Sequence, residues 1–422
     1  MEKFAKIWRD KEIRNSIIFV LVMLAIFRLA AHIPVPGVDP AALRSFFNSN
    51  QILGLLNLFS GGGLENFSIV MMGVGPYITS SIIFQLLTML FPKLEEMNKE
   101  EAGRQKINMW TRWATVPFAI LQGYAMIQLL RNSGAGILGV MSPFDYVSLI
   151  LTVTAGTIFL MWIGELISEK KIGNGISLLI FAGIIASLPA TLQQVFVNYD
   201  PSMLFTLVGF ALIVIITVVG VVIINEGQRN IPVQYARQVR GNRAFGGSTT
   251  HLPLRVNMAG VIPIIFAISV LLFPSMVAQF FVHAASPKLA AAAQWTIMVF
   301  QNQLVYGVAY FFLVFVFTYF YTEIVFHPTQ IAENLQKQGG FIPGIRPGRH
   351  TSDYLAQTTR KIILVGALFL GLIAVLPLIM KYFTGIESLA IGGTSLLIVV
   401  AVVIETVKQL EAQLSMREYT MD

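Results

Sequence analysis

The stretch Ser60-Gly61-Gly62-Gly63-Leu64-Glu65-Asn66-Phe67-Ser68-Ile69-Val70-Met71-Met72-Gly73-Val74-Gly75-Pro76-Tyr77-Ile78 runs on apolar to Phe91. From Pro76 onward it is apolar enough to cross most of a bilayer. Its first half is too polar and glycine-rich to face lipid, yet too apolar for a free loop. Lipid offers a backbone no hydrogen bonds. Irregular backbone at membrane depth therefore survives only inside protein or beside a water-filled cavity. The stretch predicts a chain that encloses a passage, with residues 60–73 sitting in it.

The composition agrees. Of 422 residues, 55% are hydrophobic and only 12% charged, against about 25% charged in soluble domains. This is the balance of a multi-spanning membrane protein. There is no cysteine, which excludes disulfides and thiolate metal sites. The five histidines are scattered without metal-ligand spacing. No polar stretch exceeds about 40 residues, so no separate soluble domain is expected. The apolar run from Asn15 to Ile33 is long enough to span, at about 20 residues per crossing. The sequence after it, His32-Ile33-Pro34-Val35-Pro36-Gly37, lacks the small residues of a cleavage site, so an uncleaved first span is expected.

Apolar periods predict ten crossings, near 15–33, 74–91, 113–131, 147–168, 176–195, 204–224, 257–273, 301–323, 362–380 and 389–407. Each is expected to be helical, because an open strand cannot satisfy its backbone in lipid. With residues 1–14 placed in the cytosol, 24 Lys and Arg fall on the cytosolic side. Only four (Arg44, Arg131, Lys288 and Lys381) fall outside, and Arg28 lies within the first span, which accounts for all 29. Basic residues concentrate in cytosolic loops, so both termini are expected to be cytosolic. The +7 formal charge then describes that face. Ten crossings divide into an N-terminal half, 15–195, and a C-terminal half, 196–407, with a short tail at 408–422. Halves of five run in opposite directions, as in inverted repeats. The second and seventh crossings would correspond, and they share Gly73-Val74-Gly75-Pro76-Tyr77-Ile78 and Gly260-Val261-Ile262-Pro263-Ile264-Ile265.

Several chemistries find no support. Gly134-Ala135-Gly136-Ile137-Leu138-Gly139 has glycines at dinucleotide-loop spacing, but no βαβ unit surrounds it. No Gly-Lys pair exists to build a phosphate loop. Asn66-Phe67-Ser68 is a formal glycosylation acceptor inside the broken segment. Ion-driven transport would place carboxylates or histidines deep in the membrane. Glu165, Glu323 and Glu405 instead lie near cytosolic helix ends, and Arg28 and His32 near the external end of the first span. A small-solute secondary transporter with broken helices is thus the alternative rather than the main reading. No nucleophile–base arrangement marks an enzyme, and no cofactor is expected.

Two cytosolic loops are long. Residues 225–256 carry Arg229, Arg237, Arg240, Arg243 and Arg255 against one acid, Glu226. Residues 324–361 include Gly340-Phe341-Ile342-Pro343-Gly344-Ile345-Arg346-Pro347-Gly348-Arg349. Long loops tend to carry function, and basic ones suit a large anionic partner such as RNA phosphates. Pro and Gly on both sides of Arg346 would hold it on a rigid tip.

The chain resembles the bacterial SecY family, central subunits of the protein-conducting channel, over essentially its whole length. The resemblance rests on Ile33-Pro34-Val35-Pro36-Gly37, Gly75-Pro76-Tyr77-Ile78, Gly173-Asn174-Gly175-Ile176-Ser177 and His251-Leu252-Pro253-Leu254. It rests equally on Asn257-Met258-Ala259-Gly260-Val261-Ile262-Pro263, Pro343-Gly344-Ile345-Arg346-Pro347-Gly348 and Gly392-Gly393-Thr394-Ser395-Leu396-Leu397-Ile398. Their common order and spacing make it specific.

The resemblance implies an all-α membrane protein: two inverted five-helix halves around an hourglass pore. Residues 60–73 would form a re-entrant plug helix carrying Gly61, Leu64, Phe67, Ile69, Met71 and Met72. The pore ring would be Val74, Ile78, Ile180, Ile184, Ile265 and Ile398, with Val74 a departure from the usual isoleucine. At about 1.5 Å per residue, Ile184, Ile265 and Ile398 lie roughly 12–15 Å from their cytosolic helix ends. That is near the middle of a core about 30 Å thick, while Ile78 comes out nearer ~20 Å. Gln85 and Asn257 resemble the polar pair of a lateral gate, and each could equally be an ordinary buried helix–helix hydrogen bond. Arg240, Arg243 and Arg346 would meet the SecA motor ATPase and the ribosome. SecE and SecG would be partner subunits, and signal peptides, nascent chains and membrane lipids would be the other contacts. The implied location is the bacterial plasma membrane.

Overall fold

The computed structural model describes residues 8, 10–36, 38, 42–43, 60, 62–64, 66–132, 142–197, 204–235, 238–240, 243–245, 249–282, 286–384 and 392–421. Helices dominate. In the first half they are α1 (Lys11–Ala30), α2 (Gly75–Leu90), α3 (Pro92–Lys99), α4 (Glu101–Asn132), α5 (Pro143–Glu169) and α6 (Gly175–Val197). In the second half α7 (Leu204–Glu226) leads into strands β1 (Gln228–Tyr235), β2 (Gln238–Arg240), β3 (Arg243–Phe245) and β4 (Thr249–Arg255). Then come α8 (Ile262–Phe281), α9 (Pro287–Gln301), α10 (Gln303–Val325), α11 (Pro328–Lys337), β5 (Gly340–Phe341), α12 (Arg349–Thr384) and α13 (Gly392–Met421).

A helix lies over each predicted crossing: α1, α2, α4, α5, α6, α7, α8, α10, α12 and α13. Among the described residues seven helices are long and apolar enough to cross a bilayer, and α2 joins them when counted with α3 across a 106° bend. Several helices outrun their apolar stretch. α4 has 32 residues and α12 has 36, about 48 and 54 Å at the standard rise. Hydropathy marks only the part in lipid, whereas a helix continues into water as long as its backbone bonds propagate.

Local chemistry sets the starts. Asp10 caps α1 by accepting from Glu12 N (2.9 Å) and Ile13 N (3.1 Å), which satisfies donors that the first turn leaves open. Ser142 and Asp145 form a reciprocal capping box on α5. α2 and α8 start alike. Gly73 (φ 56°) and Gly260 (φ 64°) both take the left-handed conformation. Val74 (φ −95°, ψ 6°) and Val261 (φ −95°, ψ −8°) follow as caps, and Pro76 and Pro263 sit in the first turn. Proline suits that position because its missing N–H has no helical partner there. The shared GVxPxI pattern is therefore a shared backbone geometry, as two related halves require.

The halves meet along two seams. On one, α8 packs against α2 and α4, with Tyr124 and Phe280 rings stacked 5.4 Å apart. On the other, α13 packs against α6. Beyond that seam Gln413 donates to the carbonyls of Lys171 (2.7 Å) and Lys170 (3.4 Å) in the α5–α6 turn. The main core cluster runs through both seams.

The two long polar loops are not irregular. β1 pairs antiparallel with β4 along its length and with β5 at Gln234 and Tyr235, giving the order β4-β1-β5. One strand pair comes from residues 225–256 and the third strand from 324–361, so the sheet ties the loops together. Ile231, Val233, Leu254, Leu335, Ile342 and Leu355 form its own buried cluster.

Candidate functional site

The broken segment begins the site. Residues 60, 62–64 and 66–74 form successive turns with no α-helix, and Ser68 makes one isolated antiparallel bridge to Pro34. Met71 N donates to Ser68 O, Gly73 N to Val70 O and Gly75 N to Met72 O. That three-residue spacing winds more tightly than the expected re-entrant helix, and the left-handed Gly73 lies within its last turn before α2. The segment is tied to the chain after α1: Val35 N donates to Phe67 O (2.9 Å) and Ile69 N to Ile33 O (3.1 Å). Leu64, Phe67 and Met71 are buried in one cluster with Met126, Ile127 and Leu130 of α4 and Leu149 and Val153 of α5. Burial of each such side chain is worth about 1.5–3 kcal/mol relative to water. Phe67 holds φ at 45°, a conformation rare outside glycine. Ile69 packs on both this cluster and the main core, and Met72 on this cluster. Gly61 lies outside the described residues.

The six residues expected to form the ring are all buried in the main core. Val74, Ile78, Ile180, Ile184, Ile265 and Ile398 are at most 6% exposed and belong to one cluster. Val74 and Ile78 belong to the start of α2 and Ile265 to α8, on one seam. Ile180 and Ile184 belong to α6 and Ile398 to α13, on the other. The Gly173-Asn174-Gly175-Ile176-Ser177 motif sets α6 in place. Asn174 Oδ1 accepts from Ile176 N (3.0 Å) and Ser177 N (3.2 Å), and Gly175 N donates to Ser168 Oγ (2.9 Å). A Cβ on Gly175 would overlap the Gly164 carbonyl oxygen, so α5 and α6 approach there only because the residue is glycine.

Two cavities flank the start of α8 and share Ile262 and Tyr321 as walls. The smaller, about 280 Å³, has polar residues of the first half on one side, among them Gln85, Asn108, Asn174 and Ser177. Its other side is apolar: Ile262, Ile265 and Phe266 of α8. Glu165 lines it as well and pairs with Arg112 of α4. The larger, about 410 Å³, is bounded by Asn225, Arg255, Asn257, Glu405 and Lys408. Sequence reading left the Arg112–Glu165 pair and Asn225 out, because residues distant in the chain give no local pattern.

The structure does not join Gln85 to Asn257. Gln85 Nε2 donates to Ser81 Oγ (3.2 Å) within its own helix, and its buried Oε1 has no partner among the described residues. Asn257 Nδ2 donates to Asn225 Oδ1 (2.6 Å) and to Gly260 O (3.2 Å), while its Oδ1 accepts from Gly260 N (3.0 Å). The physical reason is location. Asn257 lies in the turn before α8, where the backbone bends and needs side-chain partners.

The basic residues are placed at loop tips. Strand register pairs Arg240 with Arg243 at the end of the β2–β3 hairpin. Arg346 is exposed between Gly344 (φ 81°) and Gly348 (φ 94°). Its carbonyl accepts from Thr351 Oγ1 (2.9 Å), which fixes the tip against α12.

A family model for SecY matches residues 68–407. The protein translocase subunit SecY of Halalkalibacterium halodurans is 43% identical over 431 residues, covering 98% of each chain. This chain belongs to the SecY family. Among other SecY relatives, that of Mycobacterium bovis is 42% identical, covering 99% of each chain. The fold is that of the SecY and Sec61 channels. A solved protein-conducting channel matches with a TM-score of 0.62 at 17% identity, covering 93% of this chain and 91% of that one. Sec61 in a canine ribosome–channel complex from the endoplasmic reticulum matches with 0.60 at 16% identity and the same coverage.

Proposed function

We propose that this chain is a passive protein-conducting channel, moving unfolded secretory polypeptides across the bacterial plasma membrane and releasing apolar segments sideways into lipid. One observation carries the reading. Six aliphatic side chains drawn from both halves, Val74, Ile78, Ile180, Ile184, Ile265 and Ile398, are buried in the one core cluster that runs through both seams, and Val74 directly follows the segment of turns. A narrow aliphatic collar resists wetting and so blocks ions when empty. It offers no fixed hydrogen bonds, so chemically varied chains pass without being held. Residues 60–73 seal one end at rest, hinged to the collar at Gly73. The α2–α8 seam is the side exit: it is bordered by a cavity half polar and half apolar, as a passing signal peptide requires. Gln85 serves that cavity and Asn257 holds the bend at the start of α8.

The positive-inside count supports cytosolic termini, with the sheet and Arg346 on the cytosolic face. Arg240, Arg243 and Arg346 there would meet the SecA motor and the ribosome, which supply the energy. SecE and SecG would cover lipid-exposed helices.

The test uses the natural absence of cysteine. Single cysteines replace Ile78 or Ile184, and a secretory precursor with its own cysteine is trapped partway across. Disulfides are expected from both positions and not from Ile215 or Phe312, which are 63% and 62% exposed on outer helix faces. Equal crosslinking at all four positions would overturn the pore assignment.

A further inference from the structure

We infer that Gly156 of α5 is the seat of the turn segment, fixing how deeply Ile69 and Val70 lie in the passage. A Cβ built on Gly156 would overlap the carbonyl oxygen of Ile69, stand 2.8 Å from its carbonyl carbon and lie 3.3 Å from Val70 Cα. These are backbone atoms, so no side-chain rotation relieves the clash; the segment itself must lift. On its other side it is held by the Ile69 N to Ile33 O and Val35 N to Phe67 O bonds, so lifting strains or breaks them. A glycine inside a helix is itself destabilising, and here the close approach of the segment accounts for it. One turn to either side of Gly156, Val153 belongs to the cluster under the segment and Leu160 to the main core. Ile69 packs on both clusters. Gly156 therefore sits where the plug's packing joins the wall of the pore. Not every helix glycine is so confined: a Cβ on Gly209 of α7 would meet nothing within 4 Å.

Seating depth is a property of the fold; its effect on sealing rests on the channel reading above. The experiment separates the two. Met71, fully buried, is replaced by cysteine in the otherwise cysteine-free chain. Its labelling by a membrane-impermeant maleimide is measured in proteoliposomes with Gly156, with Gly156→Ala and with Gly209→Ala. Overpacking of a close contact is expected to open the segment enough for roughly tenfold faster labelling in Gly156→Ala, with Gly209→Ala unchanged. Unchanged labelling in Gly156→Ala overturns the seat. Halide leak through the same vesicles is the second readout, and it is expected to rise in parallel. Faster labelling without leak upholds the seat and overturns the segment's role as a seal. Should Gly156→Ala fail to insert, amide exchange in the unsubstituted chain decides. Slow exchange at Ile69 and Met71 supports the seat, and exchange at the rate of an unstructured peptide overturns it.

Discussion

On the proposed reading, single residues in the broken segment carry opposed demands: the segment would have to seal and also be able to leave. Ser68 shows the second. It is fully buried, and its Oγ has no hydrogen-bond partner among the described residues. A buried polar group without a partner costs about 1–3 kcal/mol, so the segment in this position is held below its best stability. Ser68→Ala is expected to stabilise the protein by about 1 kcal/mol, read as a raised thermal midpoint in detergent. A lowered midpoint would show that the hydroxyl has a partner after all. Residues of this kind differ in how far the sequence reveals them. Val74, Ile78 and the other residues proposed for the ring are ordinary apolar residues locally, and only the order of whole motifs picks them out. Gly73 and Pro76 announce themselves, because a left-handed glycine followed by a first-turn proline is a local signal. Gly156 does not. Its role depends on a backbone far away in sequence, so nothing near it distinguishes it from any glycine in an apolar helix.

Elements were legible in proportion to how strongly their solvent constrained them. Lipid leaves a spanning chain no choice but helix, and a helix covers each predicted crossing. Outside the lipid that constraint ends, and there α3, α9, α11 and the sheet escaped the reading. Pro232 inside β1 and Pro253 inside β4 read as strand breakers, and β5 has only two residues. Where a plug helix was expected at 60–73 the described residues form turns for a related reason: glycine-rich backbone lowers helix propensity, while bonds to Ile33 and Val35 supply partners from outside. The sheet gives Arg346 a firm base, since β5 lies just before its tip and α12 just after. Arg346→Glu is expected to cripple motor-driven export into vesicles while leaving helix content and the thermal midpoint unchanged. Export at the wild-type rate would remove the tip from partner binding.

At the scale of the molecule, the two seams are unequal. The α6–α13 seam is extended by the bonds of Gln413 to the α5–α6 turn, whereas the α2–α8 seam is bordered by a cavity. Opening is therefore expected at the second. A short bis-maleimide bridge between cysteines at Ser81 and Ile262, which line that cavity, should abolish transfer of apolar segments into lipid, measured by lipid-phase photocrosslinking. A bridge between cysteines at Lys171 and Gln413, across the other seam, should leave transfer intact. The reverse pattern would exchange hinge and exit. The backbone ties described for the segment of turns and its satellite cluster belong to the first half. On the proposed channel reading its tether would be a few residues around Gly73, so re-seating after a polypeptide leaves would be a unimolecular step at high effective concentration. Closure of a short loop takes about 10–100 ns. On that reading the gap behind each departing chain would have a lifetime set by the tether and not by any search, and the ions lost per transit would be a property of tether length.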